Sequence, residues 1–194
     1  VLPQGDQWEA NGMVPRETLR KMGELGLLGV RVPERYGGSG MNSLASVVMA
    51  ESLAGCTYGG FTVTVSVHTD MASPHLVNAG SESQCERYLP GVVSGDTITS
   101  IAVTEPDAGS DVQGLRTTAV RDGNGWRLNG RKLFITNGVH SNLLIVAART
   151  DKDAKASRGT SMFLVERDTL GLSVARQLDK MGWRCSDTAE LEFD

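Results

Sequence analysis

Two stretches decide how this chain is read: Ile101–Asp111, IAVTEPDAGSD, and Leu128–Gly138, LNGRKLFITNG. Each runs from a short β-branched strand into a polar or glycine-rich turn, which leaves backbone N–H groups and small hydroxyls at a strand end. A large flat ligand can lie against such an end. The pattern by itself is common, and most strand-then-turn segments bind nothing.

Outward from these stretches, the sequence after residue 96 alternates with period two between tight turns. Asp122-Gly123-Asn124-Gly125 and Asn129-Gly130 read as hairpin turns, because glycine and asparagine tolerate positive φ. They delimit strands at about 115–121, 126–129 and 131–136, followed by Leu143–Arg149, Ser161–Val165, Leu172–Leu178 and Ala189–Phe193. Thr150–Gly159, TDKDAKASRG, reads as an exposed loop. Short strands at regular spacing predict an antiparallel barrel or sandwich.

Before residue 96 the signals are helical. Pro15–Leu28 opens on a proline suited to a first helical turn, places Leu19, Met22 and Leu25 at helical spacing, and stops in GLLGV. Asn42 or Ser43 caps a second helix to about Leu53, with an apolar face of Leu44, Val47, Val48 and Leu53, ending at Gly55. Ser81 and Gln84 form an S-x-x-Q capping box, and Pro90 is expected to stop that third helix near Leu89. Phe61–Val77 has the β-branched residues of a strand but the length of a buried helix, and is read as helix. The fold class expected is α+β, a helical domain over 1–96 followed by a β-barrel or sandwich domain over 97–194.

A chain of 194 residues, 40% of them hydrophobic, can build one large domain or two smaller ones with real cores. The net charge of −4 is mixed along the chain without a Lys/Arg cluster, which argues against nucleic acid as a partner. No apolar run is long enough to span a bilayer, and VLPQGDQWEA lacks the regions of a secretory leader. Three widely spaced cysteines, Cys56, Cys85 and Cys185, point to a reducing compartment, and the cytoplasm is expected. His68, His75 and His140 have no metal spacing, so no metal site is assigned. Gly37-Gly38-Ser39-Gly40 lacks the strand and spacing of a phosphate-binding loop, and Ser110 and Ser141 lack a nucleophile-elbow context.

The two opening stretches, as VTEPDAGSD and FITNG, resemble the flavin-binding segments of the acyl-CoA dehydrogenase family. The similarity continues through GLLGVRVPERYGGSG, NAGSESQ and MGWRCSDTAELEF, and so covers nearly the whole chain. The resemblance leans towards long-chain-type members through WEANGMV, GGFTVTVSVHT and EPDAGSDVQG. It implies a helical N-terminal domain before a β-barrel middle domain, FAD as cofactor, an acyl-CoA substrate, electron-transfer flavoprotein as acceptor and a homo-oligomer.

Residue by residue, the resemblance places Ile101, Ala102, Val103 and Thr104 at the pyrimidine edge of the isoalloxazine ring, with Thr104 as the principal contact. Its N–H and hydroxyl would satisfy a ring carbonyl and stabilise the charge that gathers there on reduction. Gly109 and Ser110 would lie by the pyrophosphate, Ser110 also touching the acyl-CoA. Phe134, where many members have tryptophan, would pack on the flavin, with Ile135 beside it and the Thr136 hydroxyl near N5. Ile101 stands where some members have tyrosine.

The family reaction removes a proton from Cα of the thioester and a hydride from Cβ. The resemblance places the catalytic glutamate in a C-terminal helical domain expected to begin shortly after Asp194, and a first helix before Val1, so no catalytic residue is assigned here. The alternatives are a non-catalytic binding or assembly subunit, and a flavin oxidase or monooxygenase on the same scaffold.

Overall fold

The computed structural model describes residues 1–194. The chain forms two compact units, one of Val1–Thr99 with Asp179–Asp187, the other of Ser100–Leu178 with Thr188–Asp194. The segment 179–187, expected from sequence to belong with the strands, thus groups with the helices.

In the first unit, helices α1 (Gly5–Asn11), α2 (Arg16–Glu24), α3 (Ser43–Ala54), α4 (Gly59–Ser66), α5 (Ser73–Ala79) and α6 (Glu82–Ser94) enclose a core that includes Trp8, Leu19, Phe61, Val65 and Ile98. Helix α2 is shorter than expected. Pro15 is its extended N-cap, and Gly26, at φ 74°, turns the chain just past its end. Helix α3 starts at the expected cap, where the Asn42 side chain accepts the Leu44 N–H. Its expected buried face is not buried, because Leu44, Val47 and Val48 are exposed and Met49 points to the core instead.

Phe61–Val77 is helical, as expected, although α4 passes into α5 through a wide π turn at Val67–Ala72. Burial of Phe61, Thr64, Val65, Val67 and Leu76 outweighs the β preference of its branched residues. Helix α6 begins with the complete capping box of Ser81 and Gln84. It does not stop at Pro90 but runs through it, because Leu89, Val92 and Val93 on either side are buried. Proline costs about 3 kcal/mol in a helix interior, which three buried apolar side chains exceed.

The returning segment is built into this unit by polar contacts of long sequence separation. The Glu9 carboxylate accepts the N–H groups of Arg184 (2.7 Å) and Cys185 (3.3 Å), and the Val14 N–H donates to the Cys185 carbonyl. Gly60 must be glycine there, since a Cβ would stand 2.6 Å from the Cys185 sulfur. Burial first, then the neighbouring Glu9 carboxylate, pushes the Cys185 thiol up to about 12, so it is inert as a nucleophile.

The second unit is a seven-stranded sheet in the order β1-β4-β2-β3-β7-β6, with β5 on β4. The strands are β1 (Thr99–Ala102), β2 (Thr118–Asp122), β3 (Gly125–Thr136), β4 (Leu143–Arg149), β5 (Thr160–Glu166), β6 (Leu172–Gln177) and β7 (Thr188–Phe193). The sheet is mixed rather than purely antiparallel: β2 meets β4 in parallel at Thr118 and Arg149. Because β5 occupies one edge of β4 along its full length, β1 and β2 share the other. Leu143–Ala148 is buried throughout, as a strand covered on both faces requires.

Asn129-Gly130 is not a turn. One long strand passes through it, and Gly130 is needed because Thr117 atoms lie 2.5–2.8 Å from where its Cβ would be. The 150–159 loop carries a one-turn helix, α7 (Ala156–Gly159), and is tied down by the Arg149 guanidinium donating to the Ala154 carbonyl (2.7 Å).

Candidate functional site

The site expected from sequence lies wholly in the second unit, where a bulge in β3 shapes it. The register of β3 against β7 shifts between Lys132 and Ile135. In an unbroken strand Lys132 and Phe134 would face the same way; with the extra residue, Lys132 and Ile135 both point inward and Phe134 points out. Phe134 is 62% exposed and holds a left-handed backbone at φ 60°, an arrangement that an ordinary core aromatic does not need.

The other opening stretch arrives beside the bulge. The Leu133 N–H donates to the Thr104 carbonyl (2.9 Å), so Thr104 and the 133–136 segment are neighbours. Ile101 and Ala102 end β1; Ala102 and Ile135 are core residues and can offer a ligand only backbone. Thr104 and Thr136 are half-buried, and neither hydroxyl has a protein partner. The Thr104 N–H likewise has no protein acceptor.

Gly109 and Ser110 stand apart from this pair. They lie on an exposed bend after the Glu105–Ala108 bridge, and nothing lies within 4 Å of where a Gly109 Cβ would be, so its openness leaves room for close approach. Gly138 is different: a Cβ there would collide with the Ile135 carbonyl and the Ala189 side chain, which makes it a packing residue of the turn.

Two residues at the centre of this region were not singled out from sequence. Lys132, fully buried, donates to Glu105 Oε1 (2.7 Å) and to the Val103 carbonyl (3.0 Å). Glu105 also accepts the N–H groups of Arg116 (2.6 Å) and Thr117 (3.0 Å). Burial alone would raise the Glu105 carboxyl, but the hydrogen bonds from Lys132, Thr117 and Arg116 outweigh it and hold the group below its ordinary value. Burial lowers the Lys132 ammonium, opposed by Glu105. The signal for this pair was a lysine inside β3 and a glutamate just past the end of β1, each easily taken for a surface charge.

Together these groups offer an exposed aromatic ring and three unused donors at one strand end. That donor set suits the edge of a flat, electron-rich heteroaromatic with carbonyl oxygens, and it fits a flavin.

Family models for the N-terminal and the middle domain of acyl-CoA dehydrogenases match residues 1–96 and 100–194. The chain belongs to the acyl-CoA dehydrogenase family. The mitochondrial long-chain specific acyl-CoA dehydrogenase of Mus musculus is 45% identical over 197 residues, covering all of this chain and 45% of the relative. A crystal structure of an acyl-CoA dehydrogenase from Geobacillus kaustophilus is 43% identical, with a TM-score of 0.94 over the whole chain and 50% of that protein. A glutaryl-CoA dehydrogenase from Mycobacterium smegmatis, in complex with FADH2, is 35% identical, with a TM-score of 0.90 over the whole chain and 48% of that protein. This chain therefore spans about half the length of the relatives it matches.

Proposed function

We propose that this chain is the helical and flavin-binding portion of an FAD-dependent acyl-CoA dehydrogenase that desaturates an acyl-CoA thioester between Cα and Cβ. The observation that carries the reading is the pair of family matches, which adjoin and take up nearly all of the chain. The unused donors of Thr104 and Thr136 beside the exposed Phe134 ring support it.

In this reading Thr104 donates through its N–H and hydroxyl to the pyrimidine edge, Thr136 donates near N5, and Phe134 covers the ring. Ile101, Ala102, Val103 and Ile135 contribute backbone, and Gly109 and Ser110 receive the pyrophosphate and the CoA end of the substrate. Bound FAD supplies the hydride acceptor for the hydrogen leaving Cβ. No carboxylate of this chain is assigned as the base that takes the Cα proton. Electron-transfer flavoprotein is the acceptor and a homo-oligomer the assembly. The three thiols are free, which suits a reducing compartment, a description that covers both the cytoplasm expected from sequence and the mitochondrion named for the mouse relative.

The test is a titration of the purified chain with FAD, followed by visible absorbance and flavin fluorescence. Saturable binding that weakens roughly tenfold in Thr136→Ala, the scale of one lost hydrogen bond, is expected. No saturable binding, or unchanged affinity in the variant, overturns the placement of the flavin on these residues.

A further inference from the structure

We propose that Lys132 is a positioning residue that fixes and polarises the Val103–Thr104 peptide, presenting the Thr104 N–H as a strengthened donor to the electron-rich edge of the bound ligand. The inference rests on the flavin reading for the identity of that ligand, and on the geometry of the chain for everything else.

The Val103 carbonyl and the Thr104 N–H are the two ends of one planar peptide unit, conjugated through its C–N bond. The Lys132 ammonium donates to that carbonyl at 3.0 Å. Electron density drawn towards the carbonyl oxygen is withdrawn from the nitrogen at the other end, and hydrogen bonds in such a chain reinforce one another, more so away from water. The donor is away from water, since the Lys132 side chain is fully buried.

The surroundings hold the donor still. Glu105 keeps the ammonium in place at 2.7 Å and is itself held by the N–H groups of Arg116 and Thr117. The peptide that follows is pinned from the other side, because the Thr104 carbonyl accepts the Leu133 N–H at 2.9 Å. Both carbonyls flanking the Thr104 nitrogen are thus taken by the protein, while its N–H is left over. Stability does not explain the arrangement, since a well-packed apolar pair commonly serves a core as well as a buried ion pair or better. A carbonyl gripped by an ammonium, next to an N–H that nothing in the protein accepts, is explained by a ligand that takes the N–H and gains charge there.

The experiment compares the wild-type chain with Lys132→Met and with the double variant Lys132→Met/Glu105→Gln, which leaves no unpaired buried charge should the single variant fail to fold. Two quantities are read: the amide proton shift of Thr104 in isotope-labelled protein without ligand, and the affinity and visible spectrum of FAD. Loss of the ammonium is expected to move the Thr104 amide upfield more than the amides around it, to weaken FAD binding roughly tenfold, and to shift the bound flavin spectrum. A Thr104 amide that stays in place in a folded variant overturns the inference, as does unchanged FAD affinity and spectrum. If the wild-type chain binds no FAD while the Thr104 amide still moves, the flavin reading falls and the positioning role of Lys132 stands.

Discussion

Phe134 combines a left-handed backbone, at φ 60°, with a ring that is 62% exposed. A side chain in that conformation costs about 1–2 kcal/mol, and an exposed ring returns little of it through burial. Phe134→Gly should therefore leave chemical denaturation within about 1 kcal/mol of wild type, because relief of the strain offsets the greater freedom of glycine in the unfolded chain. The same variant should bind FAD more weakly. A large loss of stability would show the ring to be a packing residue and not a ligand surface. The sequence pointed to this position through its resemblance to a family, but alternation in the strand would have placed the ring on the same face as Lys132. The bulge that turns it out is visible only in the pairing of β3 with β7.

At the scale of the element, local chemistry was most legible at helix starts. Asn42 and Ser81 act as the N-caps expected of them, because their side chains satisfy N–H groups two and three residues away. Ser81→Ala should lower the stability of the chain by about 1 kcal/mol in thermal or urea unfolding, with no effect on FAD binding, since the box acts on α6 alone. No loss of stability would mean that the first turn of α6 is held by packing instead. Helix ends and strand breaks were less legible. Pro90 reads as a stop and Asn129-Gly130 as a turn, yet α6 and β3 run through both. What overrides the local signal is distant: buried neighbours around Pro90, and Thr117 against Gly130. The exposed face of α3 was illegible for a related reason, since apolar spacing states which residues can share a face and not what covers them.

At the scale of the whole molecule, His68 ties stability to pH. Its Nδ1 accepts the Thr99 N–H (3.0 Å) and its Nε2–H donates to the Val92 carbonyl (3.0 Å), so the ring is neutral in the folded chain. Burial lowers its pKa from 6.5 to about 4. Below pH 6.5 the unfolded chain takes a proton that the folded one refuses, so the contribution is complete above that value and is lost as the pH falls towards 4. The loss should reach about 3 kcal/mol and be absent from a folded His68→Gln variant, as read from urea unfolding at a series of pH values. An equal slope in the variant would assign the acid sensitivity to other groups. From the sequence alone came the order of helices before strands, the caps and the strand-end position of the two opening stretches, because these depend on near neighbours and local backbone preference. The tertiary structure alone decided the return of 179–187 to the helices, the parallel meeting of β2 and β4, the outward turn of Phe134 and the burial of Lys132 against Glu105. Each of these depends on contacts between residues far apart in the chain, whose energy no local pattern records.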